Sequence, residues 1–210
     1  CYWRWLRLQI LKMNLPIVAY GDPLLRKKAE DISIDYPNLK EVIANMYDTM
    51  YNASGVGLAA PQIGLSVRLF IIDSAQILNK KNDKAEDDDD NDFEGEEGVK
   101  QVFINAKVHS RAGEKWIYNE GCLSIPNIRE DITRPDEVDI EYLDEDFKHY
   151  RKKFSGFTGR IIQHEFDHIE GILFTDHLKP LKKRLLKNRL EKIARGDVKV
   201  DYKMKFPIKK

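Results

Sequence analysis

Cysteine is almost absent from this chain: Cys1 and Cys122 are the only two in 210 residues. That excludes a disulfide framework and suits a reducing setting, the cytoplasm of a bacterium or an organelle if the source is eukaryotic. Long apolar runs are missing too. None approaches the ~20 residues needed to span a bilayer, so no membrane partner is expected. Charge of one sign is not in excess, with 35 Lys and Arg against 35 Asp and Glu, and global charge therefore points to no DNA partner. There is no internal repeat. The first twelve residues contain Trp3, Trp5 and two arginines but no small-residue cleavage site, which argues against a signal peptide. Met13-Asn14-Leu15-Pro16 looks more like a start, so residues 1–12 are expected to be an upstream extension or artefact.

What is present suffices for one domain. Hydrophobic residues make up 42% of the chain, and a single domain over 13–195 with a basic tail over 196–210 fits the length. The chain opens with an extended Leu15–Tyr20 stretch and a Gly21-Asp22-Pro23 turn. Pro37 begins a helix with Leu39, Val42, Ile43, Met46, Tyr47 and Met50 at helical spacing, ending before Ser54-Gly55. The run from Gly55 to Gly64 is expected to be a loop, too rich in Gly and Ala for ordinary core. Strands are expected at Val67–Asp73, Gln101–Val108, Lys115–Glu120 and Val138–Leu143, with Lys148–Phe154 as hairpin partner of the last. Between them, Asn79 to Gly98 holds ten acids against three lysines and is expected to be a disordered insertion. Without its charge of 3 − 10 = −7 the remaining chain carries +7.

The residues that carry chemistry lie at Gln163-His164-Glu165-Phe166-Asp167-His168-Ile169-Glu170-Gly171. A helix from about Ser155 to Glu170 is predicted by Phe157, Ile161, Ile162, Phe166 and Ile169, with Gly171 as a left-handed stop. On it, His164 and His168 stand one turn apart on one face and can share a metal ion. Glu165 falls beside that ion, better placed as a general base than as a third ligand. A third ligand is still needed. Cys122 is a candidate because a thiolate would lower the charge of the site and leave a position for water, although an isolated cysteine is more often a small buried hydrophobe.

Three stretches together resemble the motifs of peptide deformylases, in the order that family has them: GVGLAAPQIG at 55–64, EGCLSIP at 120–126 and QHEFDHIEG at 163–171. The resemblance implies one divalent metal, natively Fe²⁺ and replaceable by Zn²⁺, Ni²⁺ or Co²⁺, on Cys122, His164 and His168. It implies as substrate a nascent polypeptide beginning with formylmethionine. Water activated by the metal would attack the formyl carbon, with Glu165 passing the proton to the departing amine. The Gln62 amide and Leu123 backbone N–H would meet the charge on the formyl oxygen, each donor worth ~3–4 kcal/mol; otherwise Gln62 is a loop side chain in solvent. Gly57 would leave room for the small formyl group only, or be a plain turn glycine. Val56, Tyr118, Phe157 and Ile161 could line a methionine pocket or simply be core. Arg129 could hold substrate backbone or lie free on the surface. The fold class that follows is α+β: antiparallel sheets around a central metal-binding helix, with an additional C-terminal helix.

Two rivals are weaker. The sequence His164-Glu165-x-x-His168-x-x-Gly171 would also begin a zinc endopeptidase, but Phe174 stands where one such class needs a third histidine. Another class needs a helical Glu downstream, and only Glu191, in a basic helix, is available. A closed structural site needs four ligands, and His109, His149 and His177 look isolated. The C-terminal helix, Pro180 to Arg195, places Leu181, Leu185, Leu186, Leu190 and Ile193 on one side. From Lys179 to Arg195 it has eight Lys or Arg and a single acid. It either docks the enzyme on ribosomal RNA phosphates or is only an amphipathic helix packed on its domain.

Overall fold

The computed structural model describes residues 13–82 and 96–207. The expectations for residues 1–12 and for most of the acidic stretch lie outside the described residues. Seven strands, four α-helices and three 3-10 turns are described. The main sheet has five strands in the order β2 (Gly57–Ala59), β3 (Leu69–Asp73), β4 (Lys100–Cys122), β5 (Ile125–Leu143) and β6 (His149–Phe154), every neighbouring pair antiparallel. A second, two-stranded sheet pairs β1 (Ile17–Val18) with β7 (Met204–Lys205) in parallel. The expected α+β architecture is the one observed.

The β4–β5 hairpin dominates. The two segments expected at 101–108 and 115–120 are one strand of 23 residues. Irregularities at Ile104/Lys107, Val108/Ser110 and Ala112/Lys115 let so long a ribbon coil instead of lying flat. Its partner β5 is 19 residues, and its first half had no strand signal because Asn127, Arg129, Glu130 and Asp131 interrupt the apolar alternation. The hairpin closes with the two-residue turn Leu123-Ser124, which leaves Cys122 at the very end of β4.

Helix α1 runs Leu39–Asn52 rather than from Pro37, since Asn38 adopts φ 56° and breaks the helix before it. The Gly- and Ala-rich run is not a loop. It forms β2 followed by the 3-10 turn Ala60–Ile63, and Leu58, Ala59 and Ala60 are fully buried. Small residues are what allow α1 on one side and α3 on the other to close on it. Helix α2, Ala75–Asn82, occupies the start of the stretch expected to be disordered.

Helix α3, Gly156–Ile169, is the predicted central helix, and α4, Pro180–Ala194, follows it closely in bounds. Phe157, Ile161, Ile162 and Ile169 of α3 pack on Phe70, Ile72, Phe103, Val138, Ile140 and Tyr142 of the sheet. Burial of each such side chain contributes roughly 1.5–3 kcal/mol. Gly171, at φ 74°, ends the helix as expected: its N–H donates to the His168 carbonyl and the Ile172 N–H to that of Asp167, a Schellman stop. At the other end the Glu96 carboxylate accepts from the Phe157 N–H at 2.9 Å. The last part of the stretch expected to be an insertion therefore caps α3. On α4 the expected apolar face divides. Leu186, Leu190 and Ile193 are buried, whereas Leu181 and Leu185 are 70% and 68% exposed. Packing against β5 and the Phe174–His177 turn covers only the first set.

Candidate metal centre

The end of β4 and one face of α3 converge. Cys122 Sγ stands 3.2 Å from His168 Nε2, and the ligand atoms of Cys122, His164 and His168 all lie within 4.8 Å of one another. The two imidazoles are edge-to-face with ring centres 5.1 Å apart, as one helical turn dictates. One thiol and two imidazoles this close, with no disulfide, form a donor set that fits a single divalent ion and leaves a further position open.

His164 is oriented from behind. Its Nδ1 donates to Glu120 Oε2 at 3.0 Å, which leaves Nε2 for the triad. Glu120 is buried and also accepts from Arg134 Nε at 2.7 Å and Arg160 Nη1 at 3.0 Å. Burial opposes its charge, but the bonds from His164 and Arg134 outweigh burial and hold the carboxyl well below the usual range. Arg134 reaches on to Asp167 Oδ2 at 2.6 Å, and Asp167 accepts from His177 Nε2 at 2.8 Å as well. Burial opposes ionisation of Asp167 too, yet its partners bring it down to about 2. So Arg134 ties the end of β4 to α3 between the two histidine neighbours. Glu120 and Asp167 stand inside two of the motifs without a role assigned to them; Arg134 has no signal in the sequence that sets it apart from surface charges. His177 is not isolated, and neither are His109 and His149, both paired to the Glu141 carboxylate.

Glu165 points into the same space. Its Oε2 is buried without a hydrogen-bond partner among the described residues. Desolvation by burial, helped by the Glu120 charge, pushes the carboxyl up to about 7, against the pull of His164. Gly57 lies directly on it: a Cβ there would fall 2.5 Å from Glu165 Oε1 and 2.8 Å from its Cδ. The glycine is therefore required by the carboxylate itself, a closer reason than the expected room for a formyl hydrogen.

Gln62 is 2% exposed, not a loop side chain in solvent. Its Oε1 accepts from the Ala59 N–H at 2.8 Å, which fixes the amide so that Nε2 faces Cys122 Sγ at 3.5 Å and Ser124 Oγ at 3.3 Å. Leu123 holds the first central position of the hairpin turn, where the ladder does not use the N–H. Its carbonyl accepts from Tyr202 Oη at 2.8 Å.

A cavity of about 610 Å³ opens over these groups. Val56, Gly57, Gln62, Cys122, Leu123, His164 and Glu165 line it, and so do the four apolar candidates' remaining members Tyr118, Phe157 and Ile161. His168 lies beneath, 1% exposed. Arg129 is on the rim with its Nε bonded to Asn119 Oδ1 at 3.1 Å, so it is braced rather than free. All expected site residues thus gather in one place. One further lining, Lys199 to Tyr202, carries no signal in the sequence, because nothing in that stretch marks a return to the cleft.

Comparison with known proteins decides the family. The model of the polypeptide deformylase family matches residues 14–184. This chain belongs to the polypeptide deformylase family. The peptide deformylase of Christiangramia forsetii is 54% identical over 199 residues, covering 93% of this chain and 97% of that protein. That of Flavobacterium johnsoniae is 53% identical, with 92% and 96% covered. Among solved structures, a peptide deformylase from Legionella pneumophila superposes with a TM-score of 0.70 at 35% identity, covering 86% of this chain and 95% of its own. The deformylase identity sets aside the endopeptidase alternative. Its structural requirements are also unmet, with Phe174 buried and stacked 6.2 Å from the His164 ring and Glu191 lying exposed on α4. Among the described residues no helix is long and apolar enough to cross a membrane.

Proposed function

We propose that this deformylase removes the formyl group from formylmethionine at the start of newly made polypeptides, with Cys122, His164 and His168 holding one divalent ion. The observation that carries the assignment is the unpartnered Glu165 carboxylate buried beside that triad and against Gly57, at the floor of an apolar cleft. When bound, the ion supplies Lewis acidity, lowering the pKa of water and polarising a carbonyl. Glu165 accepts the proton of the attacking water at Oε2 and later delivers it to the departing amine nitrogen. Gln62 Nε2 and the Leu123 N–H donate to the oxygen on which charge develops. Gly57 and the carboxylate pressed against it leave the floor too narrow for a bulkier acyl group. Val56, Tyr118, Phe157 and Ile161 receive the methionine side chain, and Arg129, braced on Asn119, meets the substrate backbone at the rim. Glu120 holds the His164 tautomer.

The family resemblance implies ferrous iron as the native ion, with zinc, nickel or cobalt as substitutes, and a thiolate with two imidazoles can hold any of these. A thiolate beside iron is open to oxidation, so activity of the iron form should decay in air while that of the nickel or zinc form persists. We place the reaction in the cytoplasm, and α4 with Lys183 and Lys187 exposed beside Leu181 and Leu185 suits docking on the ribosome. Anaerobically iron-loaded protein should release formate from a formyl-Met peptide and leave the unformylated peptide intact. Peptide-bond cleavage in place of formate release would overturn the reading.

A further inference from the structure

After α4 the chain turns at Gly196, φ 73°, and runs back across the mouth of the cleft. Three attachments hold it there. The Ile17 and Ala19 N–H groups donate to the Lys203 and Lys205 carbonyls at 2.8 and 2.9 Å, fixing β7 to β1. Tyr202 Oη donates to the Leu123 carbonyl at 2.8 Å, and Asn127 Nδ2 donates to the Lys199 carbonyl at 3.1 Å. Between these points, Lys199, Val200 and Asp201 line the same cavity as Cys122 and Glu165. Lys199 and Asp201 are exposed, so this wall forms the outer end of the cleft while Glu165 and His168 form its buried end.

That placement bears on the substrate, and the inference rests on the deformylase reading above. With the formyl group at Glu165 and the first side chain among Tyr118, Phe157 and Ile161, the rest of the polypeptide must leave through the mouth. A cavity of 610 Å³ is of the size that holds a drug-sized ligand, more than one residue needs. We propose that residues 199–201 form a subsite for the polypeptide downstream of its first residue, with Tyr202 pinning that wall to the turn beside Cys122. One cation, one anion and one small apolar side chain make a wall that senses the length of the peptide more than its sequence.

The test compares formyl-Met amide with a formyl-Met tripeptide on the full-length, metal-loaded enzyme. A Lys199→Ala, Val200→Ala, Asp201→Ala triple variant keeps Tyr202 and β7, and its melting curve checks folding. It should raise KM for the tripeptide roughly three- to tenfold with kcat unchanged, and leave KM for the amide where it was. An unmoved tripeptide KM in the folded variant, or equal rises for both substrates, overturns the proposal. Lys199→Glu, a charge reversal at an exposed position, gives a second reading. It should shift preference toward a downstream Lys over a downstream Glu in the second or third residue, and an unchanged ratio counts against the subsite. Wild-type protein that releases formate from neither substrate would instead sink the deformylase reading itself; activity on both with length-blind variants removes only the tail subsite.

Discussion

Helices α3 and α4 are similar in length, 14 and 15 residues, and both carry a regular apolar repeat, yet they do opposite things with it. On α3 eleven residues are buried, including Gln163, Glu165, Asp167 and His168, so even its polar face is enclosed. On α4 only Leu186, Leu190, Ile193 and Ala194 are buried and the remaining face is basic and wet. Periodicity cannot distinguish them because it reports one face only. The difference comes from the β4–β5 ribbon, which curls round to cover the second face of α3 and supplies Glu120 and Arg134 to neutralise what it buries. Polar side chains enclosed in this way keep fixed partners and shifted proton affinities, the condition for chemistry. Those of α4 are solvated, apart from Lys182 on Glu130 and Arg189 on the Asn127 carbonyl, which brace it to β5.

Substitutions sharpen the contrast. Arg134→Met should be the most damaging to stability, because it removes the one guanidinium shared by the buried Glu120 and Asp167 carboxylates and leaves their charge only partly compensated by Arg160 and Arg111. A loss of about 3–5 kcal/mol is expected in denaturant titration; a loss under about 1 kcal/mol would mean that water replaces the guanidinium. Next comes the matched pair Ile162→Ala and Leu185→Ala. The first empties a fully buried site and should cost about 2–5 kcal/mol. The second should stay within about 0.5 kcal/mol. Similar losses would erase the distinction between the helices.

Acid should act on α3 first. Asp167 sits at about 2 in the folded protein and about 3.9 when unfolded, so its stabilising contribution is complete above about pH 4 and fades as pH falls toward 2. Asp167→Asn should flatten that decline in thermal melts between those values, and an unchanged slope would assign the acid sensitivity elsewhere. The smallest effect on the folded enzyme is expected from replacing Lys182, Lys183, Lys187 and Arg189 by Gln. Activity on a short formyl peptide should hold, while ribosome cosedimentation weakens and loses salt dependence. Unaltered cosedimentation would leave α4 a packing element alone.

Much of this was legible in the sequence, for identifiable reasons. Both helices were bounded to within a residue or two, because apolar spacing, Gly171 and Pro180 are local signals. His164, Glu165 and His168 were legible because a helix fixes their relation without help from the fold. The hidden parts depend on long-range pairing. The first half of β5 is concealed by Arg129, Glu130 and Asp131, whose stems lie on a half-wet ribbon. Glu120 and Arg134 are 14 residues apart and meet only because the hairpin turns at Leu123-Ser124. The Gly-Ala run looked too small for core, whereas smallness is what lets two helices close on β2. The tail over 199–202 is irregular, and only long-range contacts return it to the cleft: β7 on β1, Asn127 on the Lys199 carbonyl and Tyr202 on that of Leu123.

On the reading proposed above, the enclosed face of α3 and the end of β4 hold one metal ion that Glu165 serves without binding. Metal content per chain, measured side by side for Cys122→Ala and Glu165→Ala, separates ligand from base. Glu165→Ala should keep its full metal complement while formate release falls by several orders of magnitude, and Cys122→Ala should lose both. A Cys122→Ala protein with stoichiometric metal and near-normal turnover would remove Cys122 from the ligand set, and a folded Glu165→Ala protein without metal would make Glu165 a ligand.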